Sequence, residues 1–256
     1  MKIAVSGKGG VGKTFIAGTL AASFASNGHP VIAIDADPSP NLGVTLGLTA
    51  EEAARIVPIA ENENLILLKT GTEFPGVFRL TFTVSDIIKK YSVPTPSGVA
   101  LMVMGTVRSM GSGCICPAHS LVKALLRHLL VDRNDMVILD MEAGIEHLGR
   151  GTAQHVDSLL VVTDADRKSL MIAASICRLA TGSEIQKIGL VGNRITGTPQ
   201  EIILRTFAEK NGLDILAIIP YDLKVAESGV TGVAIDEKTS VAVTAIQHLA
   251  DEMQKE

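Results

Sequence analysis

Tryptophan is absent from the sequence, and phenylalanine and tyrosine bring the aromatic share to only 3%. A chain of 256 residues is long enough to bury a sizeable core, so that core has to be aliphatic, assembled from Val, Ile, Leu and Ala. Long hydrophobic runs are missing too. Although 46% of the residues are hydrophobic, no stretch of about eighteen uncharged apolar residues occurs, which argues against a membrane-spanning helix and implies a soluble chain. Neither charge is in excess: 23 Lys and Arg against 27 Asp and Glu leave a net charge of −4 and no general attraction to nucleic acid or anionic membrane. Cysteines number three, an odd count that suits a reducing cytoplasm better than a disulfide framework. Lys2 opens a strand with no apolar leader before it, so no export signal is expected.

What is present begins at Gly7. The stretch Gly7-Lys8-Gly9-Gly10-Val11-Gly12-Lys13-Thr14 is a phosphate-binding loop, directly after the apolar run Ile3-Ala4-Val5 and before a helical pattern, the context the motif requires. Glycines let the backbone curl so that successive N–H groups face an anion, where side chains would block the phosphate oxygens. Lys13 then reaches the terminal phosphates and Thr14 offers a hydroxyl to Mg2+, while the N-terminus of the following helix adds partial positive charge. A glycine turn with no ligand is the alternative, and the flanking strand and helix argue against it.

Along the chain, strands and helices alternate without a convincing linker. Helical spacing runs from Phe15 to Asn27, and Val31 to Ile34 is a buried strand ending on Asp35-Ala36-Asp37-Pro38. Residues 49–98 are less regular, with a strand expected at Leu65 to Leu68 and a helix near Val84 to Tyr91. Strands follow at Val99 to Met104, Met136 to Leu139, Leu159 to Val162, Ile188 to Val191 and Ile215 to Ile219. Helices are expected at Leu121 to Leu130, Ser169 to Leu179, Pro199 to Asn211 and Val241 to Gln254. Continuous apolar strands alternating with helices indicate an α/β fold, a mainly parallel sheet of about seven strands covered on both faces, as one P-loop domain over residues 1–256.

A phosphate loop with Mg2+ needs a further carboxylate from a neighbouring strand, because Mg2+ keeps most of its waters. Asp140, closing the strand Val137-Ile138-Leu139, fits that role, and Asp37 fits the positioning of an attacking water. Sequence alone leaves either role open to either residue. Asp35, Asp37 and Asp140 also have the plainer reading of turn or N-cap carboxylates, which is the favoured one for Asp35.

Lys8-Gly9-Gly10-Val11-Gly12-Lys13-Thr14 resembles the deviant phosphate loop of the division-site, partition and nitrogenase-iron-protein superfamily of dimeric ATPases, marked by an extra lysine, here Lys8. The resemblance implies a homodimer in which Lys8 reaches the partner's nucleotide, so that Lys8, Lys13, Asp37 and Asp140 are the catalytic set. It implies ATP or ADP as the nucleotide, held by Gly9, Gly10, Val11, Gly12, Lys13, Thr14 and Phe15, with Gly144, Asn193, Arg194, Pro220 and Tyr221. Asp37 matches its first switch, the segment from Asp140 through Gly144 its second, and Asn193 the asparagine on the adenine.

Within that superfamily, Asp140 to Thr152 together with Gly113-Cys114-Ile115-Cys116-Pro117 is similar to the CooC group, ATPases that help load nickel into carbon monoxide dehydrogenase, with relatives serving acetyl-CoA synthase. Glu142 stands where that group has a glycine. The resemblance implies that Cys114 and Cys116 bind Ni2+ or Zn2+ between subunits, and that one of those enzymes is the client. The chemistry agrees, since two thiolates half fill a tetrahedral or square-planar site and a twofold axis supplies two more. His119 reads as an auxiliary ligand or, preferably, a surface residue of a helix; Cys177 and Met102 and Met104 read as core, and His147 as a structural or signalling residue rather than a general base.

Rival functions are an iron–sulfur cluster carrier ATPase and a spatial regulator of the division or partition type. The acidic balance of Ala250 to Glu256 speaks against membrane attachment, and no basic cluster shows in the linear sequence to suggest nucleic acid.

Overall fold

A computed structural model of the protein describes residues 1–74, 77–79, 81–105, 117–132, 135–142, 155–232, 235 and 239–255. Strand β1 (Lys2–Gly7) is buried along its whole length and runs into the phosphate loop, from which helix α1 (Lys13–Ser26) emerges. Strand β2 (Val31–Ala36) leads to the short helices α2 (Leu42–Thr45) and α3 (Ala50–Ala54), the latter closed by a capping box of Thr49 and Glu52. Helices α4 (Glu63–Thr70) and α5 (Ser85–Tyr91) precede strands β3 (Val93–Pro94) and β4 (Ala100–Val103). Helix α6 (Pro117–Arg127) ends in a wide π turn, His128–Asp132, before β5 (Met136–Met141). The remainder is β6 (Ser158–Thr163), α7 (Arg167–Ala180), β7 (Lys187–Ile195), α8 (Thr198–Asn211), β8 (Asp214–Pro220), α9 (Leu223–Thr231) and α10 (Val241–Gln254).

These strands form an eight-stranded sheet in the order β3-β4-β2-β5-β1-β6-β7-β8, parallel except for the β3–β4 pair. The eighth strand beyond the expected seven is β3, a two-residue antiparallel piece whose Pro94 is tolerable because β3 is at the sheet edge. Both faces are covered, which is why the strands read as unbroken apolar runs. Ile3 and Val5 face one layer with Ile16, Leu20 and Phe24 of α1 and Ile246 and Leu249 of α10. Ala4, Val137, Leu139, Leu159 and Val161 face the other, with Leu121 and Leu125 of α6 and Ala173 and Ile176 of α7. Met102 and Met104 are core, as expected, and so is Cys177, whose thiol burial pushes up to about 11, leaving it inert.

One local expectation is overturned. Leu65 to Leu68, a strand by its apolar run, lies inside helix α4. Asn62 caps that helix by accepting from the Leu65 amide at 3.0 Å, and Leu67 and Leu68 are two-thirds exposed. Four apolar residues carry no periodicity that separates the two states. Helices α3 and α9 are additions the apolar pattern does not announce, and neither buries any residue.

Parallel pairing sends the carboxyl ends of β2, β5, β1, β6, β7 and β8 to one rim of the sheet. Packing against backbone is tight on that rim at Gly7, whose φ is +150° and where an added Cβ would lie 2.3 Å from the Val162 carbonyl oxygen of β6. Backbone on the far side of that contact cannot swing away. Gly7→Ala should therefore lower unfolding stability by about 3 kcal/mol, read as a fall in the urea midpoint at unchanged slope; a midpoint equal to wild type would contradict the packing described here.

Candidate functional site

The phosphate loop crosses the top of β1 with its glycines carrying the turn. Gly12, at φ 95°, is the N-cap of α1 and supplies no side-chain cap, and the first turn holds no acidic residue, so the opening N–H groups of α1 are left for an anion. Val11 is buried under the loop and Gly9 and Gly10 are exposed above it. Lys13 is buried, its ammonium 3.4 Å from the Lys8 carbonyl across the loop. This curls the loop around the position its own charge would neutralise.

Asn193 and Arg194 reach the same loop from the end of β7. The register between β7 and β8 slips after Gly192, and Arg194 takes a left-handed backbone with φ 58°. That bend turns two successive side chains onto the loop: Asn193 Nδ2 donates to the Val11 carbonyl at 2.7 Å, and Arg194 Nη1 to the Gly10 carbonyl at 2.9 Å. An added Cβ on Gly12 would lie 2.4 Å from Asn193 Nδ2, so the glycine is required for the clasp as well as for the turn. Beside the clasp opens a cleft of about 370 Å³ lined by Gly12, Phe15, Asn193, Arg194, Pro220 and Tyr221 among others. These residues, all singled out from sequence, converge on one cavity at the small end of the range for ligand sites. Its far wall is Asp222, which caps α9 through the Lys224 amide at 2.9 Å and accepts from Ser240 Oγ at 2.6 Å, tying α9 to the start of α10.

The carboxylates separate by environment. Asp35 and Asp140 are partners in register on β2 and β5 and both are buried. Asp35 accepts from the amides of Leu42 at 2.9 Å and Asp37 at 3.1 Å, the turn role. Burial raises its pKa, and those two amides oppose the rise. Asp140 has no such support: both oxygens are buried without a hydrogen-bond partner, the Thr14 hydroxyl lying close by but outside hydrogen-bonding geometry. Burial pushes Asp140 up to about 7, and the charges of Asp35 and Asp37 push the same way, against the pull of Thr14 and Lys13. A buried carboxylate next to a threonine hydroxyl and a lysine, with both oxygens unsatisfied, is a donor set that fits a hydrated divalent cation. Asp37 is half-exposed and accepts from the Ser39 amide at 2.9 Å.

Lys8 lies on its own chain's α7, with Nζ 3.3 Å from Ser169 Oγ and 3.7 Å from Asp166 Oδ1. Asp166 is the N-cap of that helix, bound by the amides of Lys168 and Ser169, which hold its carboxyl below the usual range with some help from Lys8. Sequence reasoning passed over Asp166 and Ser169, although an aspartate just ahead of a helical pattern is a readable cap signal. It likewise passed over Asp222. His119 is exposed in the first turn of α6, the surface position preferred for it. Gly144, His147, Cys114 and Cys116 lie outside the described residues.

Asp140 makes stability depend on pH in a definite direction. Its carboxyl titrates at about 7 when folded against a reference of 3.8, so between those values the folded chain holds a proton the unfolded chain has lost. Stability therefore falls as pH rises through that window and levels off above it. Asp140→Asn should gain stability relative to wild type over the same window, up to roughly 4 kcal/mol at about pH 8, from about three pH units at ~1.4 kcal/mol each. Urea unfolding of both proteins at about pH 4.5 and pH 8 without Mg2+ measures this; an identical difference at the two pH values would refute it.

Comparison with known proteins agrees with this geometry. An uncharacterized ATP-binding protein of Methanocaldococcus jannaschii is 40% identical over 245 residues, covering 94% of this chain and 93% of that protein. The carbon monoxide dehydrogenase accessory protein CooC of Rhodospirillum rubrum is 41% identical over 236 residues, covering 91% of this chain and 89% of CooC. Among solved structures, a ParA family ATPase from Chlorobium tepidum superposes with a TM-score of 0.71 over 98% of both chains at 21% identity, a likeness of fold. Residues 2–235 match the CobQ/CobB/MinD/ParA nucleotide binding domain, and the chain belongs to that family of P-loop ATPases.

Proposed function

We propose that the protein is a homodimeric ATPase that handles a metal ion and assists nickel insertion into carbon monoxide dehydrogenase or acetyl-CoA synthase. The observation that carries this reading is the coexistence of Lys8 and Cys114-x-Cys116 in one chain of this ATPase family. The 41% identity to a carbon monoxide dehydrogenase accessory protein, spread over nine-tenths of both chains, supports the client class. No described helix is long and apolar enough to cross a membrane.

On this reading ATP lies with its phosphates on the loop amides from Gly9 to Thr14 and its base in the cleft of Phe15, Asn193, Pro220 and Tyr221. Lys13, buried and fixed against the loop, neutralises phosphate charge. Thr14 and Asp140 would hold Mg2+, which when bound supplies charge neutralisation at the phosphates. Asp37, half-exposed at the end of β2, orients the attacking water. Lys8 serves the nucleotide of the partner subunit. Its contacts to Ser169 and Asp166 are partly solvated and weak enough to exchange on dimer closure. Four thiolates, Cys114 and Cys116 from each subunit, take the transported Ni2+, with Zn2+ the competing ion. Closure and reopening of the dimer across ATP binding and hydrolysis change the geometry of that shared site and so couple nucleotide state to metal capture and delivery.

Two measurements test the mechanism. Lys8→Ala should cut ATP hydrolysis by at least about a hundredfold while nucleotide affinity stays within about threefold, since a charge inserted in trans acts mainly in the transition state; full activity in that variant would undo the dimer mechanism. Anaerobically prepared wild type should carry about one Ni2+ or Zn2+ per dimer and Cys114→Ala close to none. Equal metal content in the two would remove the metal role, and an iron–sulfur absorption band would reassign it.

A further inference from the structure

Among the described residues, Arg194 is the one other than glycine that carries a positive φ, at 58°. The strain has a visible origin. β7 and β8 are in register at Gly192 with Ile218 and again at Ile195 with Pro220, so Asn193 and Arg194 stand against the single residue Ile219. This is a bulge, which re-aims side chains near the end of a strand. Beyond it the Tyr221 amide donates to the Ile195 carbonyl at 3.0 Å and fixes the chain on the far side. Glycine would take up a left-handed backbone here without the steric penalty that a Cβ brings. It would also have nothing to reach with, whereas the exposed Arg194 spans 184 residues of sequence to donate to the Gly10 carbonyl at 2.9 Å.

A trans peptide group is planar, with its C=O and N–H pointing opposite ways. By holding the Gly10 carbonyl, Arg194 therefore turns the Val11 amide away from itself, and Asn193, holding the Val11 carbonyl at 2.7 Å, does the same for the Gly12 amide. Within the loop the Val11 amide meets the Lys8 carbonyl at 3.5 Å, and Lys13 Nζ meets that same carbonyl at 3.4 Å. Both contacts are at the long limit of a hydrogen bond and are readily exchanged for a phosphate oxygen. No described group accepts from the Gly12 amide.

We propose that Arg194 is a positioning residue for the nucleotide phosphates: it orients the peptide group joining Gly10 to Val11 so that the Val11 amide faces the anion. The left-handed backbone at 194 is what aims the side chain there, so strain in the strand end is exchanged for order in the loop. Arg194 acts through the loop and not on the base, although it borders the base cleft. The inference rests on phosphate binding at this loop and needs neither the dimer, the metal nor the client. An oriented amide serves bound ATP and the transition state alike, so losing it raises KM with kcat held, the reverse of what Lys8 does.

The test uses the full chain with Mg2+ and a fluorescent N-methylanthraniloyl-ADP, displaced by ADP or by inorganic tripolyphosphate. Arg194→Ala should weaken both competitors about tenfold and raise KM for ATP by a similar factor, with kcat within about threefold of wild type. Arg194→Lys, whose ammonium can reach the same carbonyl, should keep affinity within about threefold. Arg194→Gly should match Arg194→Ala in affinity yet unfold at a higher urea midpoint, because it relieves the left-handed backbone. Affinity that recovers together with the midpoint in Arg194→Gly would make Arg194 a merely stabilising residue and overturn the proposal. Weakened ADP with tripolyphosphate unaffected would overturn it in favour of a contact to the base or ribose, and unchanged affinity in Arg194→Ala would overturn it outright. A wild type that binds neither competitor would remove the phosphate reading of the loop itself, a result distinct from all of these.

Discussion

The close approach of the phosphate loop to the strands on either side of β1 is the constraint on which the site depends. β1 is central, flanked by β5 and β6, and Gly7 leaves it with no room for a side chain against the Val162 carbonyl. A loop pinned at that point can only curl upward over the rim, where Asp140 stands on one side and Asn193 and Arg194 on the other. Side-chain donors thus hold the loop by the carbonyls of Gly10 and Val11, while the Val11 amide reaches the Lys8 carbonyl at 3.5 Å within the loop. Preorganisation of this kind lowers the ordering cost of binding.

Asp140 shows the opposite arrangement, a group left unsatisfied. In register with Asp35 on the adjacent strand, and buried, it meets a like charge and little hydration. Asp35 escapes by accepting two backbone amides, whereas Asp140 has no hydrogen bond. Leaving a buried carboxylate without partners is costly in the folded state, and a cation brought with the nucleotide would relieve it. Binding energy and pH dependence therefore meet in one side chain. Two aspartates at equivalent strand positions thus differ in their partners.

Much of the fold was legible because both sheet faces are buried. Unbroken apolar runs such as Met136 to Leu139 and Leu159 to Val162 have no other stable use, and the helices between them carry clear spacing. Where burial is incomplete, legibility fails: Leu65 to Leu68 has one buried residue in four, and α9 none. The phosphate loop was readable for a different reason, since its glycines answer to local backbone geometry that any chain must obey.

Local chemistry, then, is what the sequence alone determined here: the loop from Gly7 to Thr14, the carboxylates at strand ends and the Cys114-x-Cys116 pair, each written within a few consecutive residues. Only the tertiary structure decided which groups meet. Lys8 finds Ser169 across 161 residues, and Val11 and Gly10 are held by Asn193 and Arg194 across 182 and 184. His119, Lys123 and Arg127 come to one face only once α6 is wound, and border a groove only once the segment 82–85 is set against it. Such meetings follow from strand order and helix phase, which depend on the packing of the whole chain and leave no mark within a short window of residues.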